Sequence, residues 1–211
     1  AVLDRHTMAD DDAFADGVVV LDFGGNTWDG PGDVREAPNG RVYALVKNSS
    51  GCGVFGFDAG GTLAASFGQG GRLSTNTEPS CSAGIHILPD LSFAMHENVS
   101  SNARIIIRDA TGATVLTSAE FPSTFGPLSV QPDGKLLTAS GDTGASGGTQ
   151  IGSIVIRRFN ANGSVDTTFS GGLVERTIST SSAYVQDMLP LADGKLLVAE
   201  QHASTGSFFR L

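Results

Sequence analysis

Short apolar runs alternate along this chain with clusters of glycine, proline, asparagine and aspartate. Val42-Tyr43-Ala44-Leu45-Val46, Ile105-Ile106-Ile107, Ile154-Val155-Ile156 and Leu196-Leu197-Val198 are such runs. They are too short and too β-branched for helices, and they suit buried strands. No stretch of about twelve residues keeps a helical period free of glycine, proline or β-branched clusters. The pattern therefore predicts an all-β fold of short strands and tight turns.

The turns repeat. Val130-Gln131-Pro132-Asp133-Gly134-Lys135-Leu136-Leu137 and Leu189-Pro190-Leu191-Ala192-Asp193-Gly194-Lys195-Leu196-Leu197 are two copies of one motif. Glu36-Ala37-Pro38-Asn39-Gly40-Arg41-Val42-Tyr43 is a third. Ile87-Leu88-Pro89-Asp90-Leu91-Ser92-Phe93-Ala94 is a degenerate fourth, keeping the proline and aspartate but not the glycine. Asp-Gly and Asn-Gly favour two-residue hairpin turns. The turn centres fall at 39, 90, 133 and 193, at intervals of 51, 43 and 60 residues. A period near fifty is the size of one four-stranded propeller blade.

A second landmark follows the strand after each turn. It reads Phe159-Asn160-Ala161-Asn162-Gly163-Ser164-Val165-Asp166-Thr167-Thr168-Phe169-Ser170-Gly171-Gly172, with an earlier copy from Phe57 to Gly71. A third copy, Arg108 to Val115, lacks the phenylalanine and double glycine downstream. Asp12-Ala13-Phe14-Ala15-Asp16-Gly17-Val18 matches the tail of this landmark, so the chain begins with the end of a repeat. The expectation is a β-propeller of about four four-stranded blades. Strand exchange between the termini closes the ring, pairing Phe14–Val20 with the strand at Phe208–Leu211. Residues 1–11 would be an N-terminal extension and 12–211 one domain.

The Asn-x-x-Gly-x-x-Asp-x-x-Phe element, the Gly-Gly step and the Pro-Asp-Gly-Lys strand resemble the delta-60 repeat family of bacterial repeats. The match is close at 154–198, fair at 34–73 and weak at 85–115. The resemblance implies a propeller on a secreted or surface protein and brings no catalytic residues with it.

Composition narrows the function. Of 211 residues, 28 are glycine and 17% are charged, with 22 acidic against 13 basic side chains and a net charge of -9. A nucleic-acid binder needs a concentrated basic footprint. Arg157-Arg158 is the nearest approach to one. No apolar run reaches the roughly eighteen residues that span a bilayer. The chain opens at Ala1 without a signal peptide, which fits a mature extracellular, cell-surface or periplasmic protein of a bacterium, or a trimmed piece.

Candidate chemistry is sparse. Cys52 and Cys81 lie among glycine, serine and proline, and their polar, loop-like settings suggest one disulfide. Of His6, His86, His96 and His202, the middle two flank the Pro89-Asp90 turn and could face each other across it as metal ligands, but they read more simply as two unrelated polar positions. Glu97 next to His96 points to the opposite side of the strand. Asp10, Asp11, Asp12 and Asp16 form a weak candidate calcium cluster, as do Asn160, Asn162 and Asp166. The latter set lacks the glutamate of an EF-hand loop. No other cofactor is indicated. Trp28, flanked by Asn26 and Asp29 in a polar loop, suits stacking on a sugar or gripping a partner. The chain reads as a non-catalytic interaction or scaffold module for a surface protein or glycan, forming a homodimer if the ring is shared. This balance leans away from an enzyme. The alternatives are a hydrolase with its site in the central channel and a carbohydrate-binding module at the Trp28 loop. Convergent carboxylates and a histidine around the axis would mark the hydrolase.

Overall fold

The computed structural model describes residues 30–48, 51–75, 84–99, 102–122, 126–146, 149–178, 183–202 and 206–210. The candidate residues Asp10, Asp11, Asp12, Asp16, Asn26, Trp28, Asp29 and Cys81 lie outside them, as do His6 and the Phe14–Val20 segment. The fold is all-β and propeller-like.

Blade 1 is a four-stranded antiparallel sheet in the order β1 (Gly30–Glu36), β2 (Val42–Asn48), β3 (Gly51–Phe57) and β4 (Arg72–Thr75). Blade 2 follows with β5 (His86–Ile87), β6 (Phe93–Val99), β7 (Asn102–Arg108) and β8 (Thr114–Thr117), and the short β9 (Phe121–Pro122) also pairs with β7. Blade 3 holds β10 (Leu128–Val130), β11 (Leu136–Ser146), β12 (Thr149–Phe159) and β13 (Leu173–Ile178). Blade 4 has three described strands, β14 (Ala183–Pro190), β15 (Leu196–His202) and β16 (Gly206–Arg210). Among the described residues, the one helical element is a short 3-10 turn at Ser170–Gly172. None is long and apolar enough to cross a membrane.

The four repeat turns share one geometry. The N–H groups of Gly40, Leu91, Gly134 and Gly194 bond the carbonyls of Ala37, Leu88, Gln131 and Leu191 at 2.8–3.0 Å. In each turn the carboxylate or amide at 39, 90, 133 or 193 accepts the N–H two residues on, at 3.1–3.2 Å. This corrects the expected two-residue turn. A type I′ turn needs positive φ at both central residues, but only Gly40, Leu91, Gly134 and Gly194 have it, at 69–84°. The turn is a tight bend closed by a left-handed residue, the three-residue hairpin with a G1 bulge.

Contacts run β1 to β5, β5 to β10 and β10 to β14, so the first strand of each blade lies innermost. The core is split among the seams between blades. Tyr43, Leu45, Val54 and Phe67 of blade 1 meet Ile85, Phe93 and Met95 of blade 2. Leu88, Ala94, Ile105 and Ile107 meet Leu128, Leu136 and Phe159 of blade 3. Leu137, Ala139 and Ile154 meet Val185, Met188 and Val198 of blade 4. The Ile105–Ile107 run is buried throughout, as its continuous apolar character requires of a strand covered on both faces. Each fully buried large side chain contributes roughly 1.5–3 kcal/mol by transfer from water.

Cys52 lies within β3, 1% exposed, in the core of the first seam. The expected loop setting of Cys52 is corrected accordingly. The glycine neighbours that read as a polar loop instead let β3 pack tightly. Cys81 lies outside the described residues, and no described cysteine is free.

Candidate axial site

The innermost strands bring ionisable groups together. Asp33 and Asp187 each stand seven residues before the left-handed turn glycine of their blade, Gly40 and Gly194. Each also follows a break in strand register, between Pro31 and Asp33 in β1 and between Val185 and Asp187 in β14. Such a bulge re-aims a side chain. Both carboxylates then accept the next N–H, Val34 to Asp33 at 2.9 Å and Met188 to Asp187 at 2.8 Å.

Blade 2 has Gly84 at this position. A side chain there would stand 2.1 Å from Asp33 Oδ2. Its absence lets Asp33 reach across the seam and accept the Ile85 N–H at 2.9 Å. Asp33 Oδ1 also pairs with Arg35 Nη1 at 3.0 Å. The half-buried Lys47 lies over Gly32. Its pKa is lowered by burial, against the opposing pull of Asp33.

His86 faces this group from β5. Burial, then the Arg35 charge, lowers its pKa to about 4, while Asp33 and Asp187 pull it up. The imidazole is therefore neutral at physiological pH and within electrostatic reach of an arginine and two carboxylates. Behind it, on the same face of blade 2, His96 is 1% exposed and also lowered to about 4, chiefly by burial and then by His86. Its ring lies 5.9 Å from Phe121 and alongside the Gly126 backbone. Neither ring nitrogen makes a hydrogen bond of normal geometry among the described residues, nor does the buried Thr138 Oγ1 of blade 3. Glu97 points the other way and pairs with Arg104.

Of the sequence candidates among the described residues, the His86–His96 pair is the one that contributes here. Asn160, Asn162 and Asp166 spend their polar atoms locally. Asn162 Oδ1 accepts the Ser164 N–H, and Asp166 Oδ2 is bound by Arg158 at 2.8 Å and Lys135 at 3.1 Å. Among the described residues, no three His, Cys, Asp or Glu side chains group as metal ligands. Asp33, Arg35 and Asp187 were not singled out from the sequence. The signal that finds them is the aspartate seven residues before the turn glycine, visible once the copies are aligned on their turns.

The cluster offers a neutral base, two carboxylates that would stabilise its protonated form, and a guanidinium to hold an anionic oxygen. That set suits addition of water to a carbonyl.

A family profile described as a domain of unknown function, a DUF5122 beta-propeller, matches residues 131–169. No curated protein matches the chain in sequence. Among solved structures, one described as a gluconolactonase is 14% identical, with a TM-score of 0.46, covering 85% of this chain and 57% of its own. Prolyl oligopeptidase B from Galerina marginata is 14% identical with a TM-score of 0.50, covering 86% of this chain and 26% of its own. The chain thus spans little over half of one neighbour and about a quarter of the other. At this identity the likeness concerns the fold. Both neighbours are named for hydrolytic enzymes, which is said of those proteins, and the likeness carries the fold alone.

Proposed function

We propose that this protein is a hydrolase acting on a small ester or lactone at the inner ends of blades 1, 2 and 4. The observation that carries this reading is the convergence of His86, Asp33, Asp187 and Arg35 on the innermost strands. In the proposed step, neutral His86 takes a proton from water as the water oxygen bonds to the carbonyl carbon. Asp33 and Asp187 stabilise the imidazolium, and Arg35 holds the oxyanion. Collapse breaks the carbon–oxygen bond, and His86 returns the proton to the departing alkoxide, giving acid and alcohol. The test is a panel of simple esters and lactones. Turnover by the wild-type protein should fall by about 10²-fold or more in His86→Gln, the scale of a lost general base, with the melting curve unchanged. No turnover across the panel, or full activity in His86→Gln, overturns the reading.

The reading extends to a bacterial cell-surface or secreted protein with delta-60-type repeats. It includes closure of the ring by Phe14–Val20 on the outer edge of blade 4. Two features support closure. Blades 1, 2 and 3 each have a fourth strand, whereas β16 has no outer neighbour among the described residues. The N-terminal sequence also matches the element that precedes such a strand.

A further inference from the structure

A cleft of about 380 Å³ lies between blades 2 and 3, on the side of the repeat turns and apart from the axial cluster. Its walls include Leu88, Ile107, Val115 and Leu116, and its rim carries Asp90 and Asp133. The volume falls within the range of small-molecule sites.

The preceding seam shows why this cleft exists. Positions in blade 1 map onto blade 2 by adding 51, from Asn39 to Asp90 and from Asp58 to Asp109. Between blades 1 and 2, the Phe67 ring packs between Gly56 and Gly112, where added side chains would meet it at 2.7 and 3.1 Å. Arg41 reaches across to the Ala110 carbonyl and to Ser66 Oγ. In the next seam the corresponding residues are Ile107, Gly163, Ala161 and, in place of the arginine, Ser92. The residue aligned with Phe67 is Ser118, which turns inward to accept the Ile105 N–H at 2.9 Å. Leu116 takes over the packing against Gly163. Blade 2 therefore lacks both the ring and the cation that close the equivalent space in blade 1.

Among the described residues, the lining side chains include two carboxylates and no cation. Asp90 uses Oδ1 for the Ser92 N–H at 3.1 Å and for the Ser92 hydroxyl. Lys135 Nζ stands 3.7 Å from Asp133 but 3.1 Å from Asp166.

We propose that this cleft binds a small organic cation in which an aromatic ring is joined by a short chain to an amine or guanidinium. The ring occupies the place Phe67 holds one seam earlier, against Ile107, Val115 and Leu116. The cation occupies the place of the Arg41 head, between Asp90 and the Ala161 carbonyl.

The test is calorimetric titration of the whole chain with 4-phenylbutylamine, 4-phenylbutanol and 4-phenylbutanoate. The amine should bind at one site per chain, at least about tenfold more tightly than the alcohol, and the acid should not bind. Asp90→Asn keeps the turn acceptor and should weaken the amine by about tenfold without affecting the alcohol. Ala161→Phe, an exposed change at the cleft wall, should abolish amine binding, while His86→Gln should leave it intact. Absence of saturable binding at millimolar amine overturns the proposal. So does equal binding of amine and alcohol, or unchanged binding in Ala161→Phe.

Discussion

Blades 2 and 3 stand side by side and derive from the same repeat, yet they close it differently. In blade 3, Thr168 donates both its hydroxyl and its N–H to Asp166 Oδ1, at 2.6 and 3.0 Å. Lys135 and Arg158 grip the other oxygen, and the Arg158 guanidinium lies 4.6 Å over the Phe169 ring. The Thr168 hydrogen bonds, then the two cations, hold this carboxyl well below the usual range. Blade 2 keeps the threonine, as Thr117, but has Val115 in place of Asp166 and Ile107 in place of Arg158. It has Leu91 where the other turns have glycine, Ser92 where blade 3 has Lys135, and Ser118 in the phenylalanine position. The backbone turns survive in both blades, because their bonds need only main-chain groups and one Asx acceptor. His86, His96 and most of the cleft wall belong to blade 2. Positions that obey the repeat build the frame, and departures from it coincide with cavities and titratable groups. Sites of local rule-breaking are where function is expected.

The largest effect that separates the two blades is their response to acid. His86 and His96 are held at about 4 when folded, against an ordinary 6.5. As pH falls below 6.5 the unfolded chain takes up these protons before the folded chain does. Stability is therefore full above about 6.5, falls between 6.5 and 4, and the loss is complete below 4. Each histidine accounts for about 3 kcal/mol at most. Melting curves from pH 7.5 to 4 should show this fall, and His96→Leu should flatten about half of it. Hydrogen exchange near pH 5 should loosen β6 and β7 before β11 and β12. A flat profile, or earlier loosening of blade 3, would remove the contrast.

A second experiment gives blade 1 the defect of blade 2. Phe67 is 0% exposed, with its ring 5.5 Å from Tyr43 and 6.1 Å from Phe93. Phe67→Ala should cost about 3–5 kcal/mol, the usual range for a buried phenylalanine. The expected readout is a lower denaturation midpoint with an unchanged slope. A cost below about 1 kcal/mol would mean that this seam can collapse and that the ring is not what fills it.

Much of this frame was legible in the sequence because it is written in short-range chemistry. An Asx residue at a fixed offset, preceded by proline in three turns and followed by glycine in three, specifies the hairpins whatever packs around them, and the β-branched runs specify the strands. What was missed depends on register or on neighbours from other blades. The bulges before Asp33 and Asp187 break the two-residue alternation, so a facing pattern read from sequence loses both side chains. Gly84 reads as an ordinary loop glycine until Asp33 is placed beside it. Cys52 reads as a loop residue because its neighbours are glycines, yet β3 is buried along its whole length. The same blindness hid the cleft. A missing phenylalanine is visible in the sequence, but the space it leaves depends on Ala161 and Gly134 of the next blade.

The smallest expected effect lies in the turn of blade 2. Leu91 has φ of 69°, close to the 80°, 80° and 84° of Gly40, Gly134 and Gly194. An L-residue in this region is disfavoured by roughly 1–2 kcal/mol, because its Cβ crowds the following carbonyl. Glycine removes that crowding but adds freedom to the unfolded chain, which returns part of the gain. The half-buried leucine side chain also gives up some packing. Leu91→Gly should therefore raise stability by about 1 kcal/mol, seen as a rise of about 2–4 °C in Tm for a chain of this size. The reverse exchange in blade 4 isolates the backbone term, since a Cβ added at Gly194 would meet nothing within 4 Å. Gly194→Ala should lose about 1–2 kcal/mol through φ alone. If Gly194→Ala is destabilising as expected but Leu91→Gly is destabilising too, the leucine side chain contributes more than its backbone strain costs. Blade 2 would then keep Leu91 for packing beneath its turn. If both shifts follow the expected signs, the four turns are one structure, and Leu91 is a strained departure from it.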